Sequence, residues 1–388
     1  MPVGAPATQR DAVANNQTLR AGRRMAIAAC FVSAALGAGC AALPRSFDAP
    51  TAAALPCRQI VPRSAPPVSW WSPPIDRDRS HMWRWCETVG PIVFQPDPRS
   101  PAAPIDRLAI VTWNLHVGGG DVDGLIRRLR AGEFTGGAPV EHFVLLLQEA
   151  YRRDEAIPVH IRRGFPVPGR IAPSRDRGPD IDHFWRDDHL AVLYAPSMRN
   201  GSVDQDREDR GNAIVSTIRL EDPEVIELPL EHQRRVVVAS TVEGFTQRGT
   251  RWRVRVADVH LDTALAITRG GPFAARRRQV EAIISALCPD RVPPASRAEG
   301  LPDTPDEATI VAGDFNTWAG RERALDALKA AFPDAPNGDV LPTWTGPLGI
   351  HARLDHVFAR GRVGSIDVRR LPGRFGSDHY PLLAIVTF

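Results

Sequence analysis

The chain has 388 residues, of which 43% are apolar and 24% charged. That composition is globular and excludes collagen-like, disordered and multi-span membrane chains as descriptions of the whole. The net charge is +3, and residues 1–43 account for it, with four arginines against one aspartate. The balanced remainder excludes a global basic field drawing the protein onto nucleic acid and leaves only local patches.

In chain order, residues 1–43 read as a signal peptide or a membrane or lipid anchor segment. Arg23-Arg24 precede an uncharged, Ala- and Gly-rich run from Met25 to Leu43. A positive flank followed by a short apolar stretch is the layout of an export signal. Small residues before Cys40 resemble the bacterial lipoprotein signal, although Leu36 stands four residues before it where three is usual. Three readings stay open: a cleaved signal with or without lipid on Cys40, an uncleaved single-span anchor, or a buried helix of a cytosolic protein. The first two predict an exported protein, periplasmic, extracellular or membrane-anchored. The polar lead before Arg23 also makes Met25 an alternative start.

Residues 44–105 are dense in proline, including Pro66-Pro67 and Pro73-Pro74. They read as a linker or an extended wrap, without a helical or sheet domain of their own. Trp70, Trp71, Trp83 and Trp85 argue against disorder and predict docking onto the C-terminal domain. Cys57 and Cys86 flank this stretch. They read either as a disulfide, if the protein is exported, or as two reduced buried thiols.

From 106 to 388 the pattern is that of one domain. Strand-length β-branched runs recur at Leu108–Thr112, Phe143–Leu147, Leu190–Tyr194, Ala213–Thr217, Val236–Thr241, Val254–Val259, Thr309–Val311, Leu354–Phe358 and Leu382–Thr387. Helical spacing is confined to Val122–Leu129, Ala274–Leu287 and Arg321–Phe332. Many strands and few helices, not strictly alternating, predict two packed sheets with helices outside. Asp204–Arg210 reads as a charged surface loop.

The residues that bound these apolar runs carry the chemistry. Trp113-Asn114, Gln148-Glu149, His260-Leu261-Asp262, Gly313-Asp314-Phe315-Asn316, Asp355-His356 and Ser377-Asp378-His379 all sit at strand ends. These polar types are poor strand formers and costly to bury unpaired, so their recurrence predicts that the strand ends converge on one polar site.

These residues, with Gly211-Asn212-Ala213-Ile214-Val215-Ser216, Asp258-Val259-His260-Leu261, Leu354-Asp355-His356-Val357-Phe358 and Tyr380-Pro381-Leu382, occur in an order that resembles the endonuclease/exonuclease/phosphatase (DNase I-like) superfamily over about residues 106–388. The resemblance implies a four-layer α/β sandwich, two mixed sheets face to face with outer helices, and a site at one edge. It implies a Mg2+-dependent hydrolase of phosphodiester bonds, with Mn2+ or Ca2+ as alternatives, acting on a nucleic acid or a phospholipid head group. Glu149 and Asp378 are then the metal ligands, with Asn114 beside the metal and against the substrate. A single carboxylate at a strand end suits Mg2+, which takes few protein ligands. His379 and Asp355 resemble a His–Asp pair; Asp314 and Asn316 resemble the pair orienting water and phosphate; His260 resembles a second imidazole on the leaving-group side, with Asp188 its candidate partner.

Asn212, Arg235 and Trp344 are candidates for the substrate side; Asn212 also reads as a turn residue and Trp344 as core. Arg234-Arg235, Arg276-Arg277-Arg278, and Arg170, Arg175 and Arg177 are the candidates for a basic groove; the middle cluster also reads as a solvated helix face. The Asp-x-His at 258–260 leans toward phosphodiesterases of the DNase and sphingomyelinase kind. A phosphomonoesterase of the same superfamily and a non-catalytic binding protein keeping the fold are the competing readings. No protein partner is evident.

Overall fold

The computed structural model of the protein describes residues 51–52, 57–72, 76–99, 103–168, 180–263, 270–288, 307–334, 337–338 and 341–388. The segment 1–43, with Arg23-Arg24 and Cys40, lies outside the described residues, as do Arg170, Arg175 and Arg177. Among the described residues, no helix is long and apolar enough to cross a membrane.

Strand alternation builds the molecule. On β5 (Arg107–Asn114), Leu108 and Ile110 enter one apolar cluster while Ala109, Val111 and Trp113 enter another. The same period of two divides β6 (Phe143–Arg153), β11 (Arg251–His260) and β12 (Glu307–Asp314). One face of each strand fills a shared inner core, and the other packs under helices. α2 (Val122–Arg130) and α3 (Ile181–Arg186) cover one sheet through Leu125, Leu129 and Phe184. α4 (Pro272–Leu287) and α5 (Arg323–Ala331) cover the other through Val280, Ile283 and Leu328. The result is a four-layer α/β sandwich, as the resemblance implied.

The inner core lies between a nine-stranded and a seven-stranded sheet. In the first, the order runs β13 (Asn337–Gly338), β17 (Ser365–Arg370), β18 (Leu382–Thr387), β5, β6, β8 (Glu208–Ser216), β7 (Ala191–Asn200), β4 (Ile92–Gln95) and β2 (Gln59–Ile60). In the second it runs β1 (Thr51–Ala52), β3 (Ser69–Ser72), β9 (Glu221–Glu227), β10 (Val236–Phe245), β11, β12 and β16 (Asp355–Arg360). A small hairpin of β14 (Trp344–Thr345) and β15 (His351–Ala352) stands beside them. Both sheets are mixed: β5–β6 and β11–β12 are parallel, while β12–β16 and β18–β5 are antiparallel.

The Pro- and Trp-rich stretch holds more regular structure than its composition predicts. It contributes two strands to one side of each sheet, β1 and β3 beside β9 and β2 and β4 beside β7, and the helix α1 (Asp76–Cys86). Trp70, Met82, Ile92 and Phe94 enter the inner core. Cys57 and Cys86 form a disulfide.

Asp204–Arg210 differs most from expectation. Glu208, Asp209 and Arg210 begin β8 and are buried. Asp209 takes Arg152 at 2.6 Å and the Gly90 N–H at 2.8 Å, while Arg152 also donates to Pro91 O at 2.8 Å. This buried ion pair therefore latches the segment before β4 onto the nine-stranded sheet, and the charges are satisfied inside rather than solvated.

The disulfide spans a sequence separation of 29, which by loop entropy stabilises the fold by about 3–4 kcal/mol. Cys57→Ser is expected to lower the urea or guanidinium midpoint accordingly. An unchanged midpoint would show that the packing of the wrap, not its cross-link, holds it.

Candidate active site

The alternation that fills the inner core also builds the site. Continuing the inward face of each strand past its last aliphatic residue reaches Thr112 and Asn114 on β5, Gln148 on β6, Asn212 on β8, Asp258 and His260 on β11, and Asp314 on β12. Asp355 stands at the matching end of β16. Register aligns them: His260 pairs with Asp314, and Asp314 with Asp355, in one row across three strands. Asn114 pairs with Gln148 across the facing sheet.

Two backbone features tune the strand ends. At Gly313, a Cβ would stand 1.8 Å from the Val259 carbonyl oxygen, so only glycine lets β11 and β12 approach here. Glu149 sits where the β6–β8 register shifts and has φ of 51°, a left-handed conformation that breaks the alternation.

Asp314 Oδ2 is the meeting point. It accepts from Asn114 Nδ2 at 3.0 Å. His260 Nε2 stands 3.6 Å and His379 Nε2 3.8 Å from the same oxygen. These two separations are too long for hydrogen bonds, so both ring nitrogens remain open to a ligand. Asp314 Oδ1 accepts from the Asn316 N–H at 2.9 Å, and Asn316 Nδ2 donates to Leu261 O at 2.9 Å, tying Asn316 to the end of β11.

His379 is held on every side. Its Nδ1 meets Asp355 Oδ2 at 2.8 Å. Its backbone N–H donates to Ser377 Oγ at 3.0 Å, Ser377 Oγ donates to Asn114 O at 2.7 Å, and Trp113 Nε1 donates to His379 O at 3.1 Å. Asp355 is placed in turn by Thr343 Oγ1, which accepts the backbone N–H groups of Leu354 and Asp355, each at 3.0 Å. The Ser-Asp-His motif is thus a hinge joining the ends of β5 and β18 to the end of β16.

The two imidazoles are polarised in opposite senses. Burial pulls His379 down, but the Asp355 and Asp314 carboxylates outweigh it and hold its pKa above the ordinary value. Burial and the Arg235 guanidinium push His260 well below its ordinary value, and His379 adds to that. Burial, with Asp355 beside it, raises Asp314 well above the usual carboxylate range, against the pull of His379.

The cleft is lined by Asn114, His116, Glu149, His260, Asp314, Asn316, Trp318, Trp344, Asp378 and His379, with Thr263 and Leu354. The expected metal ligands Glu149 and Asp378 are both there. Glu149 Oε2 accepts the Val117 N–H at 3.1 Å. Asp378 Oδ2 accepts from Trp344 Nε1 at 2.9 Å. Its buried Oδ1 has no partner in hydrogen-bonding geometry, although His116 Nδ1 stands 3.1 Å away. Burial pushes Asp378 up, yet His116 and His379 outweigh it and hold it at about 2. Asp378, with an oxygen that meets only the imidazole of His116, and Glu149 line the same cleft, and such a pair of carboxylates fits a hard divalent cation. Asn114 Oδ1 is already used by the His116 N–H at 2.9 Å, so Asn114 orients Asp314 as much as it offers a ligand. Asp314, Asp355 and His379 also bring ligand atoms within 4.8 Å of one another.

Other expected residues fall elsewhere. Asn212 is buried and donates to Asp258 O at 3.1 Å, tying the two sheets together away from the cleft surface. Arg235 is buried behind His260, with Nη1 3.2 Å from its Nδ1. Asp188 is not the partner of His260; it lies 3.8 Å from His183 Nε2, near Asp123. Arg234 is spent on Glu227, Arg276 on Glu322 and Arg278 on Glu231, so the described basic clusters form no groove. Trp344 faces the cleft, edge-on to Trp318 with ring centroids 5.0 Å apart. His116 and Trp318 join the site without a signal of their own in the sequence beyond standing two residues past Asn114 and Asn316.

The His–Asp pair and the acidic strand end thus stand together at one edge of two facing sheets. Residues 111–379 match the Endonuclease/Exonuclease/phosphatase family, and the chain belongs to it. Among solved structures, it is similar to an endonuclease/exonuclease/phosphatase family protein from Leptotrichia buccalis (14% identity, TM-score 0.45, covering 72% of this chain and 100% of that one). It is also similar to sphingomyelinase C from Streptomyces griseocarneus (19%, TM-score 0.41, 73% and 100%) and to truncated TDP2 from Caenorhabditis elegans (17%, TM-score 0.39, 73% and 98%). No curated protein matches the chain.

Asp258 gives a test of this inter-sheet polar layer. It is fully buried and accepts from Gln148 Nε2, while its Oδ2 has no partner. Burial raises its pKa well above the ordinary value. A carboxyl raised on folding adds no cost below its unfolded pKa and destabilises progressively as pH rises beyond it. Asp258→Asn is therefore expected to match the wild type near pH 4 and to exceed it in melting temperature at pH 7, by roughly 2–4 °C for each kcal/mol of relief. A difference independent of pH would show that Asp258 is ionised in the fold.

Proposed function

We propose that the protein is a divalent-metal-dependent phosphodiester hydrolase. The observation that carries this reading is the convergence on Asp314 Oδ2: three N–H-bearing groups from both sheets surround one carboxylate oxygen, beside the two carboxylates Glu149 and Asp378. Phosphodiester cleavage needs donors for the phosphoryl oxygens, an acceptor for the proton of the attacking water and a donor for the leaving oxygen. Asn114 Nδ2, His260 and His379 supply donors. Asp314, raised above the usual carboxylate range by burial, accepts the proton of the water, with Asn316 fixing its other oxygen. His379, charged beside Asp355, returns a proton to the leaving alkoxide. Glu149 and Asp378 would hold Mg2+, with Mn2+ or Ca2+ as alternatives, and the ion when bound neutralises charge on the phosphoryl group.

The mouth of the cleft supports a phosphodiester carried on an amphiphile over one in a polynucleotide. Among the described residues, no lysine or arginine lines it, whereas nucleic-acid affinity rests on such contacts. The hairpin that bears Trp344 instead ends in Leu348, wholly exposed, and Ile350, and Leu341 and Trp318 are exposed beside it. Export belongs to the same reading. It is supported by the Arg23-Arg24 leader pattern and by the Cys57–Cys86 disulfide, a bond favoured in oxidising compartments. Anchoring through residues 1–43 stays a proposal of the sequence.

With Mg2+, the full chain is expected to hydrolyse bis(p-nitrophenyl) phosphate. Glu149→Gln and His379→Ala should each lower kcat by about 10²–10⁴-fold without unfolding the protein. Absence of turnover with Mg2+, Mn2+ and Ca2+ on this substrate, on phospholipid vesicles and on DNA would overturn the reading in favour of a binding protein.

On a panel of phosphatidylcholine or sphingomyelin vesicles against plasmid DNA, the lipid phosphodiester is expected to be the better substrate. Faster, salt-sensitive cleavage of DNA would reverse the substrate assignment while leaving the chemistry intact.

A further inference from the structure

Arg235 immediately precedes β10 and is only 4% exposed. Its neighbour Arg234, equally buried, is fully spent: it pairs with Glu227 through Nε and Nη2, each at 2.8 Å, and donates to Pro196 O at 2.8 Å. Arg235 makes no ion pair with a carboxylate among the described residues, and its buried Nε–H has no hydrogen-bond partner. A buried cation without a counter-ion is costly, and structure alone gives no reason to keep it. Its described contact is to the site: Nη1 stands 3.2 Å from His260 Nδ1.

A guanidinium has donors and no acceptor. At that distance, His260 Nδ1 must therefore present its lone pair, which places the proton of a neutral ring on Nε2. The Nε2–H then faces Asp314 Oδ2, 3.6 Å away, and the space toward His379. Protonating His260 would put a second N–H against the guanidinium. The opposite holds at His379, whose Nδ1 faces the Asp355 carboxylate at 2.8 Å and so carries a proton. One ring is wired to an anion and charges readily; the other is wired to a cation and cannot.

We propose that Arg235 is a positioning residue that locks His260 in its neutral Nε2–H tautomer, so that His260 presents a fixed N–H to a phosphoryl oxygen and takes no part in proton transfer. The proposal rests on the hydrolase reading for what the N–H binds, but not for the tautomer itself. His260 then binds and moves no proton. The lock also assigns a role to an arginine that neither lines the cleft nor reaches a substrate.

The test is ¹⁵N NMR of the full chain with labelled histidine, read at neutral pH without added metal or substrate. The wild type is expected to show His260 with Nε2 protonated and Nδ1 as acceptor. Arg235→Met should release the ring into a mixture of tautomers, and Arg235→Lys, which can still only donate, should restore the wild-type pattern. With bis(p-nitrophenyl) phosphate, Arg235→Met is expected to lower kcat by about 10–10²-fold and to add an acid limb to the pH profile that Arg235→Lys removes. A wild-type His260 protonated on Nδ1, or an Arg235→Met spectrum and pH profile identical to wild type, would overturn the proposal. The wild-type spectrum decides the tautomer by itself, so a variant that fails to fold leaves the test standing. A protein that shows the expected tautomer yet turns over no phosphodiester would refute the hydrolase reading and leave the lock in place.

Discussion

One carboxylate oxygen organises this molecule's chemistry. Asp314 Oδ2 takes Asn114 from the nine-stranded sheet and faces His260 from the seven-stranded sheet and His379 from the turn before β18. These groups come from opposite ends of the domain's sequence and meet only because the sheets pack face to face with their strand ends level. The inner core that ends in this polar row is the same core that makes the sandwich stable. Stability and site geometry are therefore linked through strand register: a one-residue slip in β11 or β12 would send His260 or Asp314 to the outer, helix-covered face.

Burial makes the arrangement useful. At a buried strand end, each charged neighbour acts strongly, so similar side chains acquire different characters. His379 beside Asp355 is driven toward the charged form, and His260 beside Arg235 away from it. Asp378, held by His116 and Trp344, stays ionised, while the deeper Asp314 is pushed toward protonation. The environment, more than residue type, separates a proton carrier from a fixed donor and a cation ligand from a base.

Much of this is legible in the sequence, for identifiable reasons. The β-branched runs of the inner strands mark β5, β6, β11, β12 and β18, because residues buried on both faces leave a continuous apolar signal. The polar residues that terminate those runs mark the site, because only function or pairing repays their burial. Strand β9, reading Glu-Asp-Pro-Glu-Val-Ile-Glu, carries no such signal, and neither do the short strands of the Pro-rich wrap. Glu208, Asp209 and Arg210 look like solvent-exposed charge because their partners Arg153, Arg152 and Asn200 pair with them only in the folded sheet. Arg235 reads as part of a basic patch for the same reason: nothing local shows that its neighbour in space is His260.

The most direct measurement is a crystal structure of the full chain grown with Mg2+ and inorganic phosphate. The account predicts a phosphate oxygen within hydrogen-bonding distance of His260 Nε2, His379 Nε2 and Asn114 Nδ2, with the cation on Glu149 and Asp378. Phosphate bound away from these donors, or a cation held by other residues while Glu149 and Asp378 remain free, would contradict it.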